Sequence, residues 1–254
     1  MTARRVSLVS SLAAVVLAAA CTNSFEIPIE TPIRPKLDVA AFQRVLVAGF
    51  IAGGTEDVDG NLETTRLLRS QLRTKSELRV IDSDVLPLMD VATEGRNGDG
   101  GAQTPAPAPA AIKEEKDLEA YEHVFANVEY WKRIGEEYQQ PLIVTGTLMF
   151  TPLQRNQIVQ REQEVYDSFG RRRVVPVRTY QERKGFSLDG RFIFIDGRSG
   201  ATLHSESFGE QILYNANQTT PALSSYFELM DRLIPSFLST LSSQKIKGTR
   251  ILLQ

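Results

Sequence analysis

The sequence predicts an α/β fold with a mixed sheet flanked by helices, opening as a parallel strand, helix, strand unit and ending in antiparallel hairpins. Three observations carry this. The apolar run Arg44-Val-Leu-Val-Ala-Gly-Phe50 is followed by helix-spaced leucines and then by Leu78-Arg-Val-Ile-Asp82, the order of a parallel crossover. Apolar residues recur three to four apart from Leu118 to Tyr138, one face of a helix. From Gln157 onward, strand-like runs follow one another across glycine-containing turns with no helix between them.

Composition sets the limits. The chain has 254 residues, 42% hydrophobic and 24% charged, which excludes disorder throughout and allows one or two domains. Lys plus Arg is 29 against 31 for Asp plus Glu, a formal charge of −2, which argues against electrostatic nucleic-acid binding. One cysteine excludes an internal disulfide framework and a multi-Cys zinc site, and two distant histidines leave little for a His-based site.

Residues 1–20, MTARRVSLVSSLAAVVLAAA, place Arg4 and Arg5 ahead of an apolar run softened only by serines. That is the pattern of a signal peptide, and the run is shorter than the roughly 20 apolar residues of a spanning helix. The cleavage region Leu17-Ala-Ala-Ala-Cys21 resembles a bacterial lipoprotein lipobox, with leucine one step further from the cysteine than usual. The resemblance implies that Cys21 becomes the first mature residue, carrying a diacylglyceryl thioether and, in many species, an acylated amine. A lone exported thiol otherwise has no partner in an oxidising compartment. Thr22 in place of Asp after the cysteine implies the outer membrane under the enterobacterial sorting rule.

Residues 21–40 then read as the lipidated cysteine and a semi-extended tether, because Pro28, Pro32 and Pro35 prevent a helix. Residues 41–254 read as a single α/β domain. Its first strand is Arg44–Phe50, apolar almost throughout and so covered on both faces. A helix from Leu62 to about Leu72 follows, capped by Asp59 or Asn61, and then the strand at 78–82. Residues 93–111, where glycine and proline alternate with small residues, read as a disordered Gly/Pro/Ala insertion with a polyproline-like end. A continuous helix carrying Leu118, Tyr121, Phe125, Val128, Trp131, Ile134 and Tyr138 comes next, then a buried strand at Leu142–Phe150.

Two hairpins follow, 157–167 with 173–183 around Ser168-Phe-Gly-Arg171, and 186–196 with 201–213 around Gly197-Arg-Ser-Gly200. Pro221 opens a final helix that Pro235 is expected to kink or divide. Gly248 stops it, and Thr249–Leu253 returns as an edge strand.

The strands Arg44-Val-Leu-Val-Ala-Gly-Phe, Leu78-Arg-Val-Ile-Asp and Leu142-Ile-Val-Thr-Gly-Thr-Leu, the helix Leu67-Leu-Arg-Ser-Gln-Leu, and the hairpin Phe192-Ile-Phe-Ile-Asp-Gly-Arg-Ser-Gly-Ala-Thr-Leu stand in a telling order. In that order they resemble a group of periplasmic envelope domains: the curli-secretion lipoprotein, the penicillin-binding-protein activator lipoprotein and the amino-terminal Tol domain. The resemblance spans residues 41–208. It implies a three-layer α/β sandwich without catalytic activity that acts by binding other envelope proteins or by assembling into rings. The 93–111 insertion and the charged hairpin depart from that pattern.

Candidate sites are few. Gly53-Gly-Thr-Glu-Asp-Val-Asp-Gly-Asn-Leu-Glu63 is rich in oxygen ligands but lacks the calcium-loop register, so it reads as a loop ending in a helix cap. His123 reads as part of a solvated helix face, and His204 has no acid partner fixed by sequence, so no triad is expected. The hairpin at 157–184 has no uniformly apolar face and reads as a water-exposed arm, since a spanning strand needs about 9–11 residues with one. Arg171, Arg172 and Arg173 at its tip are the candidate partner-binding residues, facing an acidic partner or a lipid headgroup, or forming a solvated turn. The expected function is a non-enzymatic, membrane-anchored lipoprotein, in the outer membrane and facing the periplasm, that binds another envelope protein. The alternative is an oligomeric component of the curli-channel type. No cofactor, metal, nucleic acid or small-molecule substrate is expected.

Overall fold

The structure, a computed structural model, describes residues 24–97, 112–215, 217–218 and 220–253. Cys21 and the signal segment lie outside the described residues. The chain divides into two units, Lys36–Ser242 and the two segments flanking it.

The smaller unit is a two-stranded antiparallel ribbon of β1 (Ser24–Ile33) and the last strand of the chain, β7 (Gln244–Leu253), in register from Ser24 opposite Leu253 to Ile33 opposite Gln244. Two expectations change here. Within 21–40, Ser24–Ile33 is extended as foreseen but paired, not a free tether, and the domain ends at Ser242 instead of 254. Pro28 and Pro32 are four residues apart, so their missing amides fall on the same edge of β1. A two-stranded ribbon leaves one edge per strand free to take both.

In the larger unit β2 (Arg44–Gly54), β3 (Arg79–Val80), β4 (Leu142–Tyr166), β5 (Arg172–Asp196) and β6 (Thr202–Asn215) form a sheet in the order β3-β2-β4-β5-β6. β2 runs parallel to β3 and β4, while β4, β5 and β6 are antiparallel neighbours. This is the mixed sheet the sequence predicts. Residues of opposite parity feed two cores. Val45, Val47, Val144 and Phe194 meet α1 (Gly60–Lys75) and the C-terminal helix on one face. Leu46, Ala48, Ile143 and Ile193 meet the remaining helices on the other, giving the three layers.

Those remaining helices are α2 (Leu88–Asn97), α3 (Glu115–Glu119), α4 (His123–Ala126) and α5 (Val128–Glu137). The single helix expected over 118–138 is thus three, and α2 is additional, carrying residues 93–97 of the segment read as a disordered insertion. The rest of that segment, 98–111, lies outside the described residues. The break has a local cause. Asn127 leaves the helical region at φ −79°, ψ 86°, and its side chain accepts the Tyr130 amide at 3.0 Å as an N-cap. The Val124 carbonyl, which a continuous helix gives to residue 128, instead accepts the indole N–H of fully buried Trp131 at 2.9 Å. Val128, expected in the core, is left 49% exposed.

The C-terminal helix α6 (Ala222–Leu241) contains Pro235 without being divided by it. Its Tyr226 is fully buried and hydrogen-bonded to the Thr64 hydroxyl and, at 3.0 Å, to the Gly60 carbonyl. Burial pushes the Tyr226 phenol well up, so it stays a neutral donor. Tyr226→Phe leaves the buried Thr64 hydroxyl without this partner and is expected to cost about 1–3 kcal/mol, measured as a lowered urea midpoint at unchanged slope.

Close backbone approach fixes two joints. A Cβ on Gly146, at φ +153°, would sit 1.8 Å from the Arg191 carbonyl oxygen across the β4–β5 pair. One on Gly135 would sit 1.7 Å from that of Gly197, where α5 crosses the β5–β6 turn. Only glycine fits either place.

Candidate functional site

β4 and β5 are each 25 residues long, far beyond what the sheet uses. β2 ends at Gly54 opposite Phe150 of β4, and β6 ends at Asn215 opposite Arg183 of β5. Past those points the two strands continue as a ribbon of 11 further pairs, from Asn156–Glu182 to Tyr166–Arg172. At about 3.4 Å per residue the extension is roughly 35 Å long. The sequence's hairpin at 157–167 and 173–183 is therefore the far end of two continuous strands that begin in the core.

Direct opposition sorts the arm's side chains into two faces. Val159, Val165, Val175 and Val177 share one face with Arg161 and Arg173, while Ile158, Tyr166 and Tyr180 share the other with Glu162, Glu164 and Arg172. Each face mixes apolar and charged groups. Ile158, Tyr166 and Tyr180 are 65%, 65% and 67% exposed, and Phe169 at the tip is 81% exposed. These apolar positions are what the sequence reading, intent on arginines, missed as candidate contacts. Phe169 in a four-residue turn was the available signal, since turns favour small polar residues. From Asn156 to Glu182 the arm carries five basic side chains against four acidic ones, and Arg155, Arg183 and Lys184 add three cations at its base, in a chain whose formal charge is −2.

The three tip arginines are not gathered into one patch. Arg171 lies in the turn, where its Nε is 2.9 Å from an Asp167 carboxylate oxygen and its guanidinium stands 5.4 Å from the centre of the Phe169 ring. Arg172 begins β5 on one face and pairs with Glu164. Arg173 begins the opposite face, and among the described residues no carboxylate lies within ion-pair distance of it. Asp167 organises the turn. The Arg171 amide above all, with the Phe169 amide and the Arg171 side chain, holds its carboxyl below the ordinary aspartate range despite some desolvation.

Since the ordered tip favours the ionised form, its contribution is complete at neutral pH and is lost as pH falls below the usual aspartate range. Protection of the Phe169 and Arg171 amides, taken relative to the intrinsic exchange rate at each pH, is therefore expected to fall there, and Asp167→Asn is expected to remove the pH step, both followed by NMR.

The other candidates resolve differently. In the oxygen-rich loop Asp59 accepts the Leu62 amide at 3.0 Å as the cap of α1, and Asn61 accepts the Phe50 amide at 2.7 Å. Those oxygens are committed to the fold. Among the described residues no three His, Cys, Asp or Glu side chains gather where they could hold a metal ion. His123 is exposed, as expected, and its ring nitrogens lie 3.0 Å from the Ala120 carbonyl and 3.1 Å from that of Ala92, bridging α2 to the turn after α3.

His204 does have an acid neighbour, Glu206 at 3.7 Å on the same face of β6. Ser205 and Ser207 point to the opposite face, so no triad forms. Glu206 is bound by Lys36 and, at 2.8 Å, by the Thr240 hydroxyl. Burial opposes its ionisation, but these hydrogen bonds outweigh it and keep the carboxyl below its usual range.

A cleft of about 280 Å³ between α3 and β5 is lined by Leu118, Glu119, Glu122, Met149, Asp189 and Arg191, with Arg191 paired to Glu122. Among the described residues no helix is long and apolar enough to cross a membrane.

No protein-family model and no curated protein sequence matches the chain. Similar solved structures include bacterial envelope proteins. The lipoprotein GNA1162 of Neisseria meningitidis is 13% identical, with 77% of this chain and 97% of that one covered at a TM-score of 0.31. The PelC dodecamer of Paraburkholderia phytofirmans is 15% identical over 85% and 98%, at 0.34. The LpoB C-terminal domain of Salmonella enterica is 8% identical over 69% and 87%, at 0.28. At these TM-scores the likeness assigns neither a family nor a function.

Proposed function

We propose that the protein is a non-enzymatic envelope lipoprotein, held to the membrane by acyl groups on Cys21, whose β4–β5 arm binds another envelope protein. One observation carries the reading: the ribbon beyond Arg155 and Arg183 has no core behind it. An isolated two-stranded ribbon is marginal in water, and ordering it costs chain entropy that its own contacts barely offset. Exposed Phe169, Tyr166, Tyr180 and Ile158 supply apolar anchors among charges, the make-up of an interface. Arg173, with no carboxylate within ion-pair distance among the described residues, and the cations at the base of the arm favour a partner with an acidic surface. The lipobox supports export and anchoring.

Asn156 and Glu182 are direct partners, so a two-residue Asn-Gly turn joining them replaces the arm without disturbing the register. The shortened protein is expected to unfold at the same temperature as the parent and to lose its partner in cell crosslinking. Retained partner binding would place the interface elsewhere.

A second reading, self-association of arms, is favoured by one observation. Along the 11 added pairs no described strand covers the outer edge of β4 or of β5, and bare edges are templates for pairing. It requires a multimeric mass in mild detergent that falls to the monomer when the arm is removed.

A further inference from the structure

The β1–β7 ribbon is amphipathic, and its register makes the two faces unequal. Ile27, Ile29 and Ile33 stand on one face, with Arg250 opposite Ile27 and Gly248 opposite Ile29. Glu26, Glu30, Lys245 and Lys247 stand on the other together with one exposed isoleucine, Ile251 opposite Glu26, and there Glu30 pairs with Lys245 at 3.3 Å and Lys247 at 3.9 Å. Ile27, Ile29 and Ile33 are 41%, 40% and 44% exposed, so a row of β-branched side chains faces outward along one strand. Three of the four exposed isoleucines described in the ribbon thus share one face, and that unequal division calls for something to cover it.

Two facts select the occupant of this face. β1 begins at Ser24, three residues after Cys21, and three extended residues reach at most about 10 Å. Whatever lies at the anchor therefore lies within a headgroup layer's thickness of the ribbon. The second fact is charge: residues 24–35 and 243–253 hold four basic and two acidic side chains, opposite in sign to the chain as a whole. Arg250, alone among the cations, stands on the apolar face, where its stem can lie along Ile27 while its guanidinium reaches a phosphate.

We infer that the Ile27, Ile29, Ile33 and Arg250 face lies on the leaflet that receives the Cys21 acyl chains, with isoleucines at the acyl boundary and basic groups on anionic phospholipid headgroups. The ribbon then acts as a second membrane contact, setting the height of the protein at the bilayer. The inference rests on the anchored reading above. A second copy's ribbon is the competing occupant.

Acylation of Cys21 consumes the chain's only thiol, so a cysteine placed in the ribbon of the full acylated protein is unique and can carry an environment-sensitive fluorophore. Ile29→Cys reports the apolar face and Thr249→Cys the polar one, with amide exchange across β1 and β7 verifying that each variant keeps the ribbon. Mass spectrometry of the purified chain reports the acyl groups.

In vesicles of phosphatidylethanolamine with one third phosphatidylglycerol, the probe at residue 29 is expected to shift to the blue and be shielded from an aqueous quencher. The probe at residue 249 is expected to stay quenched. Arg250→Glu, or raising salt to about 1 M, where screening acts over roughly 3 Å, is expected to reduce the shielding. Equal quenching at both positions in acylated protein overturns the inference and leaves the anchor standing. Shielding at 29 on the vesicles by a chain without acyl groups upholds the face and overturns the anchor. Shielding in neutral detergent, together with a doubled mass, assigns the face to a second copy and overturns the inference.

Discussion

Cys21→Ala is expected to move nearly all of the protein from the membrane to the soluble fraction of the envelope. Each buried methylene contributes about 0.8 kcal/mol, so the two or three acyl chains of a processed lipobox outweigh any other contact this chain offers a bilayer. No described helix can span a membrane, and the body carries a net negative charge that anionic headgroups repel. The ribbon's three isoleucines and few cations leave only a small residue on the membrane, released by salt. Fractionation with and without a salt wash reads both parts. Unchanged, salt-resistant partitioning would mean that the anchor lies elsewhere.

Trp131→Ala is the substitution expected to cost most stability. Trp131 is the largest fully buried side chain, packs edge-to-face on Tyr130 with ring centres 5.0 Å apart, and gives its indole N–H to the Val124 carbonyl. Truncation opens a cavity and removes one of the two donors to that carbonyl, which keeps the Asn127 amide at 3.2 Å, at about 3–5 kcal/mol in all. For a unit of this size the thermal midpoint falls by roughly 10 °C, followed by circular dichroism. Val128→Ala supplies the contrast, since this half-exposed residue is expected to change stability by about 0.5 kcal/mol or less. A continuous helix over 118–138 would put Val128 on the buried stripe and make its loss far more costly.

That pair of residues marks where the sequence was legible and where it was not. The stripe through Leu118, Phe125, Trp131 and Ile134 was read correctly as buried, because apolar spacing reports which face meets the core. The same spacing is blind to a break that keeps the face while changing the backbone. Here the break is set by Asn127 and by where an indole N–H finds its acceptor, a tertiary matter. The central strands were the plainest feature. Arg44–Phe50 and Leu142–Phe150 are apolar on both parities, and only a sheet covered on both faces accommodates that.

Long-range pairing was the least visible. Nothing local ties Ser24–Ile33 to Gln244–Leu253, more than two hundred residues away, and the prolines that excluded a helix concealed an edge strand. At the arm, the turn and the exposed character of both faces could be read, but not that β4 and β5 run unbroken from the core, because Thr151–Asn156 lacks any apolar alternation. The three arginines were legible as a tip. Their separation into one bound to Asp167, one bound to Glu164 and one without a carboxylate partner needed the register.

The central claim is that the arm of an anchored, non-enzymatic protein binds a different envelope protein. The most direct test is a photo-crosslinking residue at Phe169, activated in cells, followed by light-scattering mass measurement of the acylated protein in mild detergent. The account predicts one copy of this chain joined to one other envelope protein through an acidic surface, with the crosslink weakened by Arg173→Glu. A closed ring of identical subunits crosslinked arm to arm would contradict it.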